Sequence, residues 1–235
     1  MKRDNWLGFL PFYLLVAILV IGSARLGSVA VTTAVRSGPV ERKHTVVVDA
    51  GHGGVDGGAT SCSGILEKEL NLEIALRLND LLHLLGYETK MIRTTDISVY
   101  TEGQTIAAKK VSDLKERVRL VNSTENATLV SIHQNTYPSS RYSGAQVFYG
   151  AGQGSQTLGQ QLQSAFVSTI NPGSKRQCKK ADGVYLMQNI QCPGVLIECG
   201  FLSNPEEEAL LRSKEYQQKI CTVIVSTLSR FLSST

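Results

Sequence analysis

The stretch Thr45-Val-Val-Val-Asp-Ala-Gly-His-Gly-Gly54 decides the fold. It begins with a short run of β-branched residues, which is typical of a strand that is buried on both faces of a sheet. A glycine-rich loop carrying His52 follows, and its glycines allow a tight turn that leaves the imidazole accessible. Open α/β sheets place their functional sites at such carboxyl ends of strands. We therefore work outward from this segment.

Strands and helices alternate along the rest of the sequence. Apolar residues at helical spacing predict helices over residues 70–85, 113–122, 155–170, 216–231 and from Asn204 onward. Short apolar runs predict strands over 87–93, 128–133, 144–149, 183–187 and 195–198, with loops over 97–111 and 171–182. This alternation predicts an α/β fold, in which a twisted, mostly parallel sheet is flanked by helices on both faces.

The N-terminus has the pattern of a targeting or anchoring segment. Met1-Lys2-Arg3 is followed by an uncharged, mainly apolar stretch from Trp6 to Ala24. A spanning helix needs roughly 17–25 such residues, so we predict a signal anchor over residues 1–24, with a signal peptide as the alternative. Residues 25–43 are predicted to be a linker and residues 44–235 the folded domain. Because the basic residues come first, this domain is expected outside the cytoplasm, either membrane-anchored or secreted.

Composition excludes some classes of protein. The 235 residues carry a formal net charge of +4, and 42% of them are apolar. The basic residues are spread along the chain, so nucleic-acid binding is not expected. The five cysteines lack the CxxC spacing of a zinc ribbon, and their odd number leaves at least one free or paired between chains.

Three candidate metal ligands lie near the ends of predicted strands or loops: His52, Glu67 and His133. Two imidazoles and one carboxylate are a known catalytic zinc set that leaves a fourth position open for water. Each residue also has a structural interpretation, as a turn histidine, a helix-terminal acid and a half-buried histidine respectively. His44 and His83 are weaker candidates.

Glu198 is the candidate general base. It ends the apolar run Val195-Leu-Ile-Glu198, where a carboxylate is costly unless it is paired or functional. A metal-dependent hydrolase needs one such base beside the metal. Arg93 and Arg117 lie beside buried elements, and a structural role is favoured for both. Arg93 and Asn135 are also weaker candidates for substrate binding.

A set of segments covering roughly residues 45 to 231 resembles, in family order, the bacterial N-acetylmuramoyl-L-alanine amidases of type 3. They are Val48-Asp-Ala-Gly-His-Gly-Gly54, Glu67-Lys-Glu-Leu-Asn-Leu72, Arg93-Thr-Thr-Asp96, Leu114-Lys-Glu-Arg117 with Asn122, Ser131-Ile-His-Gln-Asn135, Gly144-Ala-Gln-Val-Phe148 and Val195-Leu-Ile-Glu-Cys-Gly-Phe-Leu-Ser-Asn-Pro205. Ala50 departs from a common proline and Cys199 from a common aliphatic residue, and neither belongs to the catalytic set.

This resemblance implies both a site and a reaction. The zinc ligands of the family fall on His52, Glu67 and His133, and its catalytic glutamate falls on Glu198. The implied reaction is Zn²⁺-dependent hydrolysis of the amide bond between N-acetylmuramic acid and L-alanine in peptidoglycan. Two alternatives remain open: a zinc carboxypeptidase acting at the far end of the stem peptide, and a wall-binding module in which zinc is structural.

A narrower resemblance, to the sporulation amidases of spore-forming Firmicutes, is carried by Gly183-Val-Tyr-Leu-Met-Gln-Asn189 and the short anchored N-terminus. It implies work on spore-cortex peptidoglycan in the forespore envelope. There, stem peptides are removed so that a polysaccharide deacetylase can help to make muramic-δ-lactam. Related amidases are often controlled by partner proteins, and residues 97–111 and 150–182 are where such control is expected.

Overall fold

Residues 44–234, the part of the chain that the computed structural model describes, contain six strands in one sheet. The strands are β1 (Thr45–Ala50), β2 (Glu88–Met91), β3 (Ala127–Asn135), β4 (Gln146–Tyr149), β5 (Lys179–Lys180) and β6 (Gly194–Phe201). Their order in space is β2-β1-β3-β6-β4-β5, and every neighbouring pair is parallel except β4 and β6. The predicted mostly parallel sheet is confirmed.

Helices cover both faces of this sheet, as predicted. They are α1 (Glu67–Leu84), α2 (Ile106–Asn122), α3 (Ser155–Thr169), α4 (Tyr185–Asn189), α5 (Pro205–Arg212) and α6 (Lys214–Leu232). Val46 and Val48 of β1 pack in one core with side chains of α1, α3, α5 and α6. Val47 points the other way and packs with side chains of α2 and α4. Alternate side chains of β1 thus belong to two different hydrophobic cores, one on each face of the sheet.

The predicted start of α5 is confirmed in atomic detail. The side chain of Asn204 accepts hydrogen bonds from the backbone N–H groups of Glu206 and Glu207, and Pro205 occupies the first turn. Proline suits this position because its missing N–H would have no partner inside the helix. The cap fixes where the chain turns as it leaves β6.

Helix α2 begins earlier than the sequence predicted. Residues 97–111 were expected to form a loop, but the helix starts at Ile106, where Thr105 caps it by accepting from the N–H of Ala108. Ile106 and Val111 are exposed, with 61% and 54% of their surface accessible. The first turns therefore lack the one-sided apolar pattern on which the prediction of a helix depends.

The predicted strand over residues 183–187 is wrong, because this segment turns into α4. Leu186, Met187 and Ile190 are buried together under the sheet. Spacings of one and three residues fit one side of a helical turn, whereas a strand would bury every second residue. A short apolar run does not distinguish the two by itself.

The predicted anchor over 1–24 and the predicted linker over 25–43 lie outside the described residues. Within residues 44–234, no helix has both the length and the apolar character needed to cross a bilayer.

Candidate active site

The site lies at the carboxyl ends of β1, β3 and β6, at one edge of the sheet. His133 of β3 pairs in register with Glu198 of β6, so the two side chains leave the same face of the sheet side by side. The register shifts immediately beyond this pair, between His133 and Asn135. The chain following β1 supplies Gly51, whose N–H donates to the carbonyl oxygen of Ile132. Parallel pairing thus gathers residues that are far apart in sequence.

His52 is held in an unusual backbone conformation. Its φ angle is +61°, in the left-handed region that residues other than glycine rarely adopt. The loop is closed by hydrogen bonds exchanged between the backbones of Gly53 and Asp56. The Oδ2 atom of Asp56 then lies 2.8 Å from Nδ1 of His52. Backbone strain of this kind clusters at functional sites, where surrounding contacts hold it.

Glu67, the first residue of α1, lies between the two histidines. Its Oε2 is 3.2 Å from Nε2 of His52, and its Oε1 is 2.9 Å from Nδ1 of His133. The N–H of Ala59 and the side-chain amide of Asn71 also donate to this carboxylate. Burial by itself favours the neutral acid, but the hydrogen bonds from His133 and His52 outweigh it and hold the pKa of Glu67 well below its usual range. Glu67 is therefore a carboxylate at neutral pH.

The donor atoms of His52, Glu67 and His133 all lie within 4.8 Å of one another. Two neutral imidazoles and a carboxylate match the ligand chemistry of a catalytic zinc ion. Among residues 44–234 this group has these three members. The donor set fits zinc.

Asp56 was not singled out from the sequence, although its spacing of four residues from His52 was visible. Burial disfavours a charged imidazole, yet hydrogen bonds with Glu67 and Asp56 raise the pKa of His52 to about 9. Lys110 forms an ion pair with the other oxygen of Asp56 at 2.7 Å. An acid on the far nitrogen of a ligating histidine fixes the orientation of its ring, so we assign Asp56 a positioning role.

Two glycines leave space for the candidate ligands. A Cβ atom on Gly58 would lie 2.5 Å from Oε2 of Glu67, and a Cβ atom on Gly51 would lie 2.2 Å from the ring of His133. Gly51 does not have a positive φ, so alanine would be excluded there by steric overlap rather than by backbone strain.

We expect Gly51→Ala to weaken metal binding by about 10- to 100-fold, the range found when a ligand loses its supporting contacts. The methyl group must displace the imidazole of His133. The dissociation constant, measured by chelator competition, checks this. The matched control is Gly57→Ala in the same loop, where the methyl would only touch the flexible side chain of Leu66 at 3.3 Å. Equal metal affinity in both variants would contradict the packing argument.

Glu198 is a largely buried carboxyl next to this group. Burial is the main cause that raises its pKa from 4.5 to about 7. The charges of His133 and His52 lower this pKa, and the charge of Glu67 raises it further. Its Oε2 is buried and has no hydrogen-bond partner among the residues described. A buried acid with one unpartnered oxygen and a pKa near neutrality is equipped to move protons.

Arg117 and Arg93 make contacts of the structural kind. Arg117 forms a buried ion pair with Asp49, a second with Asp113 at 2.6 Å, and donates to the carbonyl oxygen of His52 at 2.7 Å. Arg93 is only 2% exposed, and it donates hydrogen bonds to backbone carbonyl oxygens, including those of Ala50 and Gly51. Both brace the loop that carries His52.

The remaining candidates are less informative. Asn135 accepts a hydrogen bond from the N–H of Leu202 through its backbone, and its role in substrate binding stays a prediction, as does that of Arg93. His44 and His83 are not part of the ligand group. All five cysteines are free thiols in the described structure.

The sequence pattern of the Amidase_3 family, N-acetylmuramoyl-L-alanine amidase, matches residues 46–230, and the chain belongs to this family. It is 38% identical to the germination-specific N-acetylmuramoyl-L-alanine amidase of Bacillus subtilis over 190 residues. These aligned residues are 80% of this chain and 79% of that protein. The protein is accordingly a hydrolase that acts on peptidoglycan.

Solved structures agree. The CwlD amidase from Clostridioides difficile, in complex with the GerS lipoprotein, has a TM-score of 0.78 at 36% identity and matches 82% of this chain and 100% of that chain. The catalytic domain of the amidase CwlV from Bacillus (Paenibacillus) polymyxa var. colistinus has a TM-score of 0.65 at 27% identity, covering 82% and 99% respectively.

Proposed function

We propose that this amidase is zinc-dependent, that His52, Glu67 and His133 bind the ion, and that Glu198 is its general base. The observation that carries the proposal is the convergence of three ligand atoms within 4.8 Å, next to a glutamate whose Oε2 atom is buried and unpartnered among the described residues. The bond cleaved is the amide between N-acetylmuramic acid and L-alanine. Residues 44–235 form the catalytic domain in this proposal.

Zinc, when bound, supplies Lewis acidity that polarises a carbonyl group and lowers the pKa of water towards about 7. A side chain of the protein transfers the proton. Glu198 accepts it from the attacking water and then donates it to the nitrogen of L-alanine as the amide bond breaks. A pKa of about 7 suits both steps, because the group is a usable base and a usable acid at the same pH.

Digestion of purified peptidoglycan by the full-length chain tests the reaction. We expect release of whole stem peptides, detected by mass spectrometry, which stops after treatment with a chelator and returns when zinc is added. Loss of terminal residues alone would favour the carboxypeptidase alternative. Undiminished cleavage by the metal-free protein would contradict the zinc assignment.

We further propose that the substrate is spore-cortex peptidoglycan and that the enzyme works before a deacetylase on the route to muramic-δ-lactam. The similarity to a germination-specific amidase supports this. In this proposal residues 1–24 anchor the chain to the membrane or direct its export, residues 25–43 are a linker, and the site acts outside the cytoplasm in the forespore envelope. Comparing digestion of spore-type and vegetative peptidoglycan tests the substrate.

An activating partner is the last part of the proposal. The solved complex of CwlD from Clostridioides difficile with the GerS lipoprotein supports a lipoprotein as the partner of this chain. Co-purification from sporulating cells with the tagged chain is the measurement.

A further inference from the structure

A basic pocket includes Gln146, which pairs with Glu198 on the side of β6 away from His133. It has a volume of about 510 Å³ and is lined by Tyr142, Gln146, Lys175, Arg176, Gln177 and Lys179. We name it the basic pocket.

The sheet connects this pocket to the site. β4 runs antiparallel to β6 and pairs Gln146 with Glu198, while β3 pairs His133 with the same Glu198 from the other side. The three side chains therefore form a row across the sheet, and neighbouring strands are about 4.8 Å apart. The basic pocket begins about one strand spacing from the proposed general base.

The pocket has cationic groups available for a ligand. Lys175 and Lys179 are exposed, and neither pairs with a carboxylate of residues 44–234. Arg176 is anchored, since it donates to the carbonyl oxygen of Ser143 at 3.0 Å and lies 4.9 Å from the ring centroid of Phe201.

The nearest acid does not neutralise these cations by contact. Glu207 is buried, and its carboxylate accepts hydrogen bonds from the backbone N–H groups of Gly144 and Phe201, each at 2.7 Å. Its two oxygens are thus directed at the backbone. An anionic group that enters the pocket therefore meets the ammonium groups of Lys175 and Lys179, which form no ion pair with a carboxylate of residues 44–234.

The substrate carries such a group at a matching distance. The stem peptide continues from the nitrogen that Glu198 protonates, and a glutamate in its second place that is linked onward through its γ-carboxyl group keeps a free α-carboxylate. One residue of extended chain spans about 3.5 Å, so this carboxylate, at the end of the second residue, lies at most about 7 Å from the scissile nitrogen. That distance corresponds to about one and a half strand spacings of about 4.8 Å, which reaches the near side of the basic pocket.

We propose that the basic pocket binds the α-carboxylate of the second stem residue through Lys175, Lys179 and Arg176. This inference rests on the proposed function, because it takes Glu198 as the group next to the scissile bond. Charge-assisted hydrogen bonds to a carboxylate add both affinity and orientation. The pocket makes the enzyme selective for stems whose second residue is acidic rather than amidated.

Two soluble muropeptides that differ only at this group test the proposal, one with the α-carboxylate and one with the α-carboxamide. We expect kcat/KM to be about tenfold higher for the acid, as hydrogen bonds to charged groups warrant. The double variant Lys175→Gln, Lys179→Gln loses this preference through a higher KM for the acid, with kcat unchanged. Both lysines are exposed, so the variant is expected to fold.

The control is the double variant Lys115→Gln, Lys219→Gln, which removes two equally exposed lysines elsewhere and keeps the preference. Equal kcat/KM for both muropeptides in the unaltered protein, or an unchanged preference in the pocket variant, overturns the inference while leaving amidase activity intact. If neither muropeptide is cleaved, the proposed function fails instead. Affinities of the two muropeptides for zinc-loaded Glu198→Gln protein, with and without the lysine substitutions, then decide the pocket independently.

Discussion

Glu198→Gln is expected to lower amidase turnover by about 10²- to 10⁴-fold, the usual contribution of a general base. Glutamine keeps the shape of the side chain but cannot accept the proton of the attacking water. Zinc content should remain at the wild-type level, because Glu198 is not one of the three residues proposed to bind the ion. Turnover on a soluble muropeptide and metal analysis of the same sample measure both effects. Full activity with intact metal would show that another group is the base.

The same substitution should make the metal-free protein more stable at neutral and alkaline pH. Burial raises the pKa of Glu198 from 4.5 to about 7 in the folded state. The folded protein therefore holds this proton more tightly than the unfolded chain, and stability is lost as pH rises from about 4.5 through 7. A pKa shift of this size lowers the free energy of unfolding by ~3 kcal/mol once Glu198 is ionised. Glutamine does not ionise, so the variant keeps this stability at high pH.

Urea unfolding in the presence of a chelator checks this sign. The stability gain of Glu198→Gln should be near zero at pH 4 and close to its full value at pH 8. Glu206→Gln, which alters an exposed acid in the first turn of α5, is the control and should show no such pH dependence. A gain of the same size at both pH values would contradict the explanation by burial.

Glu67→Gln is expected to abolish activity and to weaken zinc binding by more than about 100-fold, since even outer-shell partners contribute 10- to 100-fold. The substitution removes the negative charge between His52 and His133, which the structure keeps ionised. Chelator competition measures the affinity. Glu69→Gln, an exposed acid in the same first turn of α1, should bind zinc normally.

Zinc affinity of the unaltered protein should also rise with pH. The hydrogen bonds with Glu67 and Asp56 raise the pKa of His52 to about 9, so a proton must leave before this imidazole can bind metal. Below that pH the affinity should increase by about tenfold per unit, because metal and proton compete for one site. An affinity independent of pH between 6 and 8 would contradict the raised pKa of His52.

The sequence predicted the parts of the fold that depend on local pattern. The β-branched run of β1 and the cap of α5 at Asn204 are local signals, and the structure confirms both. The segment 183–187 was assigned wrongly because whether it packs under the sheet as α4 depends on tertiary contacts of Leu186 and Met187. The early start of α2 was missed because its first turns bury nothing.

The residue types of the candidate metal site could be predicted, but their surroundings could not. His52, Glu67 and His133 stood out by residue type and by position near strand ends. The orienting contact of Asp56 depends on the left-handed turn at His52, which sequence alone does not specify. The basic pocket depends on the antiparallel register of β4 against β6, a long-range pairing without a local signal.

The two-residue strand β5 has a consequence for self-association. It forms one border of the sheet, and both of its residues, Lys179 and Lys180, are exposed. Unpaired backbone groups along a sheet border are a template for strand addition and aggregation, which short length and lysine side chains oppose. At this border the sheet is therefore a poor template for strand addition by an unfolded chain, even at high protein concentration.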